Sequence, residues 1–296
     1  MNMCLRLRAS TALPARFSLP FSAPKHLLNP KPKSSLSFIP NSRTFSTKIT
    51  MAQTVEHIVL FKVRDDTDPS KVNAMVNGLN GLKSLDQVLH LSAGPLLRNR
   101  SSSLNFTHLL HSRYSSKDDL NAYSQHPSHV SVVKESVLPI CEDIMAVDWV
   151  ADDLEGPVSP SPGSALRVTF LKLKENLGEE TKSEILGVIK GIKDSFGQIN
   201  QLTFGENFSP GRAKGYSIAS LAVIPSPSEL EALDSNEELV NLQKEKVREY
   251  LESVVVVDYL VSSPQSASLL HLDGILSLEA EAADGLCCMI LLPRYR

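Results

Sequence analysis

The sequence predicts an α+β chain: two tandem ferredoxin-like β-α-β-β-α-β units that close one barrel within a single polypeptide. Three observations carry this. First, the 296 residues match themselves at a shift of 110. HIVLFKV at 57 lies over RVTFLKL at 167, DDLNAYSQHPSHV at 118 over SELEALDSNEELV at 228, and IMAVDWVADD at 144 over VVVVDYLVSS at 254. Anchors sharing one offset mark a repeated structural unit. Second, within each copy the apolar residues switch between a strand-like and a helix-like period in the order β-α-β-β-α-β. Third, the strands are apolar on both faces, as in Ile58, Val59, Leu60 and Phe61. A sheet wetted on one side would alternate apolar with polar, so each sheet needs a second cover beyond its own helices, and the other copy is at hand to supply it. Two four-stranded sheets facing each other, helices outside, satisfy all three.

The elements of the first copy follow in order. HIVLFKV from 57 is a strand. DPSKVNAMVNGLNGL opens with Asp68 as a cap and Pro69 at the first helical position, and Val72, Met75, Val76 and Leu79 share one helix face. QVLHLSAG is a second strand, ended by Gly94-Pro95, and LNFTHLLHSRY a third. SSKDDLNAYSQ is a short helix with a Ser-x-x-Asp capping pattern from Ser115 to Asp118. Pro127 starts another helix, and CEDIMAVDWV is the last strand. In the second copy the charged run SNEELVNLQKEKVREYLES reads as a solvated helix. The organisation expected is a leader over 1–50, a first barrel unit over 51–152, a linker over 153–163, a degenerate second unit over 164–262 and a disordered tail over 263–296. The linker, DDLEGPVSPSPGS, is rich in Pro, Gly and Ser and is expected to join the units without structure of its own.

Composition narrows the function classes. A net charge of −3 lacks the basic stripe of a nucleic-acid binder, and no run reaches the ~18 apolar residues of a membrane helix. Four scattered cysteines do not make a disulfide framework. Residues 1–50 hold eight Lys or Arg, eight Ser, six Pro and no acidic residue, the composition of an organelle transit peptide. A chloroplast is the expected address, with mitochondrion and peroxisome as alternatives. The chain ends Arg294-Tyr295-Arg296, which is not a peroxisomal tripeptide.

EHIVLFKV, the Thr107-His108 pair in the third strand, AYSQHPSHV and VDWV together resemble the stress-responsive dimeric α/β barrel family. That family includes small heat-stable proteins and a polyketide cyclase that makes olivetolic acid. Its members are mostly single units that pair as homodimers, and this chain is similar to the fused two-unit form. The resemblance implies a pocket between helices and sheet. It places a general base at His129, a partnering phenol at Tyr123, and further pocket histidines at His57, His108 and His126. It also shows a departure: where the cyclase has a second tyrosine on its first helix, this chain has Gly78 or Leu79.

Imidazole titrates closest to neutral pH, so a histidine cluster suits proton transfer, and a phenol can steady a developing enolate. The same Tyr-x-x-His-Pro-x-His run also serves as a packing motif, with Pro fixing a turn and histidines bonded to backbone. No metal-ligand set accompanies these histidines, and neither metal nor cofactor is expected. His90 and His111 read as surface or edge residues. Under the shift, His57 becomes Arg167, Tyr123 becomes Leu233 and His129 becomes Leu239, and the second unit has no histidine. It therefore reads as scaffold. Two function classes follow: a stress-linked protein that binds a small hydrophobic ligand or protects without turnover, and, as the alternative, a cyclase or lyase using His129 and Tyr123. Self-association is a further expectation.

Overall fold

The computed structural model describes residues 53–262, apart from 102–103, 153, 238–240 and 242–244. The leader and the tail lie outside the described residues. The first half runs β1 (Thr54–Val63), α1 (Pro69–Gly81), β2 (His90–Asn99), β3 (His108–Tyr114), α2 (Lys117–Gln125), α3 (Pro127–Val132) and β4 (Cys141–Ala151). The second runs β5 (Ala165–Leu173), α4 (Glu179–Lys190), α5 (Ile192–Ser195), β6 (Gln201–Glu206), β7 (Ile218–Ile224), α6 (Pro227–Asp234) and β8 (Leu251–Leu260). The strands order β4-β1-β3-β2-β8-β5-β7-β6 in one antiparallel sheet. The halves therefore do more than face each other. They join edge to edge, Arg98 opposite Asp258 and Leu96 opposite Tyr259.

The sheet curls until its two ends meet. Phe208 N–H donates to the Asp148 carbonyl at 3.0 Å, and Asp148 N–H donates to Asn207 Oδ1 at 3.1 Å. Closure gives three cores, as alternation along each strand requires. Ile58, Leu60, Leu109, Val147 and Trp149 of the first half share the barrel interior with Leu166, Val168, Phe170, Leu221, Val257 and Tyr259 of the second. The opposite faces pack under helices, around Met75, Leu79 and Leu110 in one half and Ile185, Ile189 and Ile218 in the other.

The two seams are related by the repeat. Tyr259 lies over Gly94, and Trp149 lies over Gly205. A methyl group at 205 would sit 3.0 Å from the Val150 carbonyl oxygen and 3.2 Å from the Trp149 side chain. Only glycine admits the aromatic ring there.

Several local expectations shift. β2 does not stop at Gly94-Pro95 but continues to Asn99. Leu96 N–H bonds Thr107 on the β3 side, so the N–H that Pro95 lacks would point the other way, where pairing with β8 begins only at Leu96. The α2 cap is Ser116, not Ser115: it accepts from Asp119 N–H at 3.0 Å. The run from Pro127 is helical to Val132 and then widens into a π turn, Val133–Val137. The linker is anchored rather than free, since Arg113 donates to the Val158 carbonyl at 2.6 Å and Gln201 to the Glu155 carbonyl at 2.5 Å. Leu251–Ser253, expected in a solvated helix, open β8 instead.

Candidate functional site

β1 sends its odd-numbered residues toward the helices, and so places His57 beside Asp148 of β4, its register partner. His57 Nδ1 lies 2.5 Å from Asp148 Oδ1. Burial raises the Asp148 pKa, but the His57 charge and hydrogen bond outweigh it and hold the carboxylate below its usual range. The second half completes this corner, with Asn207 Oδ1 accepting from the Asp148 and Ser209 backbone N–H groups.

Around His57 stand three rings. Tyr114 and Tyr123 centroids lie 6.3 Å and 6.4 Å away, and they pack on each other at 5.2 Å. His129 stacks on Tyr123 at 4.6 Å. The structure thus brings together His57, Tyr123 and His129. Their polar atoms are largely committed. His129 Nδ1–H donates to the Ser124 carbonyl at 2.9 Å, which fixes the tautomer and leaves Nε2 as its basic atom. Burial lowers its pKa and keeps the ring neutral. The Tyr114 and Ser112 hydroxyls pair at 2.9 Å. Burial pushes both phenols well above their ordinary value.

The other two histidines lie apart. His126 caps α3: its Nδ1 accepts from Ser128 N–H at 3.2 Å. His108 pairs with Phe61, four residues along β1 from His57, a separation of ~13 Å at strand rise. Its Nδ1 bonds Thr107 Oγ1 at 2.9 Å, a bond that knits the entry to β3. At the position of the missing tyrosine, Leu79 is buried in the core and Gly78 packs against Val132.

His111 is not a surface residue. It is fully buried and faces the barrel interior together with Arg113, because odd positions of β3 point inward. Glu56 accepts from His111 Nε2 at 2.7 Å, from Arg113 at 2.8 Å and from Thr203 Oγ1 of the second half at 2.9 Å. Burial raises the Glu56 pKa, and the Arg113 and His111 charges together reverse this and lower it to about 2. His90 stacks on His111 at 4.9 Å, and burial takes its pKa down to about 3.

The second half builds a different corner at the repeat-related place. Arg167 replaces His57 and Asp258 replaces Asp148. The guanidinium donates to Asp258 at 2.8 Å and 3.0 Å and to Asp234 of α6 at 2.6 Å and 3.2 Å. Across the seam Arg98 of β2 and Arg100, just beyond its end, pair with both carboxylates, Arg98 at 3.3 Å and Arg100 at 3.2 Å from Asp258. Beside Arg167 lies a narrow cleft. Its walls are Ile192, Phe196, Ile199, Leu202, Ile224 and Leu233. Sequence reasoning missed this corner, although charges inside apolar runs, such as Arg167 in ALRVTFL and Asp258 in VVVVDYL, were the available signal.

A family model described as the stress responsive A/B barrel domain matches residues 55–151 and again 166–261. The chain belongs to the stress-responsive A/B barrel family. Two proteins of Arabidopsis thaliana, each described as a stress-response A/B barrel domain-containing protein, are similar over most of its length. One is 53% identical over 271 residues, 90% of this chain and all of that protein. The other is 50% identical over 215 residues, 72% of this chain and 99% of that one. A solved protein of Fusobacterium nucleatum, provisionally named a monooxygenase, superposes with a TM-score of 0.51 at 12% identity, over 72% of this chain and 94% of that chain. That likeness speaks for the fold alone. The stress-responsive barrel unit is thus present twice, fused in one chain.

Proposed function

We propose that this stress-responsive A/B barrel protein binds a small, largely apolar molecule without turning it over. The observation that supports the reading most is the state of the groups that would do chemistry. His129 Nδ1 is spent on a backbone carbonyl, His126 on a helix cap and the Tyr114 hydroxyl on Ser112. Burial holds both phenols protonated, which makes them poor proton carriers near neutral pH. In the second half the cleft opens beside Arg167, whose guanidinium is shared between two carboxylates.

The alternative, a lyase or cyclase, draws its support from the His57–Asp148 pair standing beside Tyr123 and His129. The two readings separate on Tyr123→Phe and His129→Ala. Binding without turnover predicts altered melting temperature and unchanged composition of any small molecule incubated with the protein, followed by mass spectrometry. A pH-dependent conversion abolished by both substitutions would establish the alternative. The acid-free, Arg- and Ser-rich stretch supports delivery to the chloroplast, with peroxisome and mitochondrion as alternatives; imaging the full chain fused to a fluorescent protein decides among them. Self-association is checked by sedimentation.

A further inference from the structure

One end of the barrel interior is polar. There Ser92 stands opposite His111 and His90 opposite Arg113 on β2 and β3, and Arg113 stands opposite Glu56 of β1. Most of these groups are paired. Glu56 accepts from His111 Nε2, Arg113 and Thr203 Oγ1. Arg113 also donates to Gln201 Oε1 at 2.7 Å, and the Ser92 and Tyr259 hydroxyls pair at 2.6 Å. Two atoms are left over. His111 Nδ1 and His90 Nε2 are both buried, and among the described residues neither has a hydrogen-bond partner. The two rings lie 4.9 Å apart, and His111 has no solvent exposure. Polar atoms this deeply buried are ordinarily satisfied, and an unsatisfied one costs stability.

Protonation defines what this pair can take. Glu56 is ionised and only accepts, so the His111 proton sits on Nε2. Burial keeps the ring neutral, and Nδ1 presents a lone pair that needs a donor. The neighbouring donors are spoken for, Arg113 by Glu56, Gln201 and the Val158 carbonyl, and Ser92 by Tyr259. Charge excludes an ion: an anion would meet Glu56 and a cation Arg113, and burying an unpaired charge is costly. Among the described residues no third His, Cys, Asp or Glu joins the two rings in a metal-ligand group. We infer that this end of the barrel binds one ordered water molecule, which donates to His111 Nδ1 and hydrogen-bonds to His90 Nε2. Water is small and neutral, both donates and accepts, and two polar partners suffice to hold it. It joins His90 to a network that already runs through His111, Glu56 and Arg113 to Thr203 and Gln201 of the second half. The linker is the stopper of this site. Arg113 holds the Val158 carbonyl at 2.6 Å, and Gln201 the Glu155 and Pro157 carbonyls at 2.5 Å and 3.3 Å. Exchange of the water with bulk therefore requires the linker to lift. This site is separate from the His57 corner and does not depend on how that corner is read.

The test uses the full chain and two measurements. A crystal structure fine enough to show ordered waters is expected to hold one density peak within hydrogen-bond distance of both His111 Nδ1 and His90 Nε2. Deuteron relaxation dispersion of the solvent counts long-lived internal waters without a crystal. His90→Phe keeps a ring but removes one anchor, and should lower that count by one while circular dichroism shows the barrel still folded. Gln201→Ala frees the linker and should leave the count unchanged but shorten the residence time several-fold. A direct hydrogen bond between the two rings, with no density between other partners, would overturn the site. So would a count that His90→Phe leaves unchanged in a folded barrel. A peak with anomalous signal after soaking in zinc chloride, bonded to both nitrogens, would replace the water by a metal and overturn the ligand class. A residence time indifferent to Gln201→Ala would overturn the linker's part as stopper.

Discussion

At the scale of residues, the chain spends its ionisable groups on holding itself together. Glu56 is the clearest case, a fully buried carboxylate that gathers His111, Arg113 and Thr203 at one end of the barrel. Removing its charge strands Arg113, so Glu56→Gln is expected to cost about 3–5 kcal/mol, read as a shift in the urea midpoint. The same cluster sets the response to acid. Glu56 has its pKa lowered from 4.5 to about 2 and His90 from 6.5 to about 3, so both bind fewer protons folded than unfolded over those windows. Their contribution is complete above pH 6.5 and is lost as pH falls, first through the His90 window and then through that of Glu56. Urea midpoints measured from about pH 7 to about pH 3 should fall steadily. A flat profile would mean the two groups remain solvated.

At the scale of elements, much was legible in the sequence, and the misses have physical causes. The helix α1 follows from Asp68, Pro69 and the spacing of Met75 and Leu79, which are the residues it buries. The joining of Tyr123 with His57 and His129 was expected from the family resemblance, since local pattern alone does not bring a strand residue of β1 against helices far along the chain. His108 was misplaced because its distance from His57 depends on the β1–β3 register, which no local pattern specifies. His111 was misread for the same reason, since a one-residue change of parity moves a side chain from surface to interior. The role of His126 as the cap of α3 makes a separate prediction. Replacing it with Ala should cost about 1 kcal/mol, and with Asn much less. If it were a ligand group instead, both substitutions would leave the melting temperature unchanged.

At the scale of the whole molecule, the two halves are complementary rather than interchangeable. At one seam Asp148 meets His57 and Asn207; at the other Asp258 meets Arg167, Arg98 and Arg100. The two arginines that meet Asp234 and Asp258 across the seam come from the first half. Charge thus favours pairing of the first half with the second. Asp258→Ala leaves three arginines facing Asp234 and should cost several kcal/mol, far more than removing an exposed surface pair. Fusion then supplies each half with its partner at a fixed effective concentration, and stability is expected to be independent of protein concentration.

The central claim is that both halves share a single interior, and Trp149 reports on it directly. It is the chain's one tryptophan, belongs to the first half, is fully buried and lies over Gly205 of the second. Leu221→Ala removes a second-half side chain from that interior and should destabilise it by about 2–5 kcal/mol. The urea midpoint read by Trp149 fluorescence should fall together with the midpoint read by circular dichroism, in one transition. A Trp149 midpoint left unmoved while a separate second-half transition shifts would contradict a shared interior.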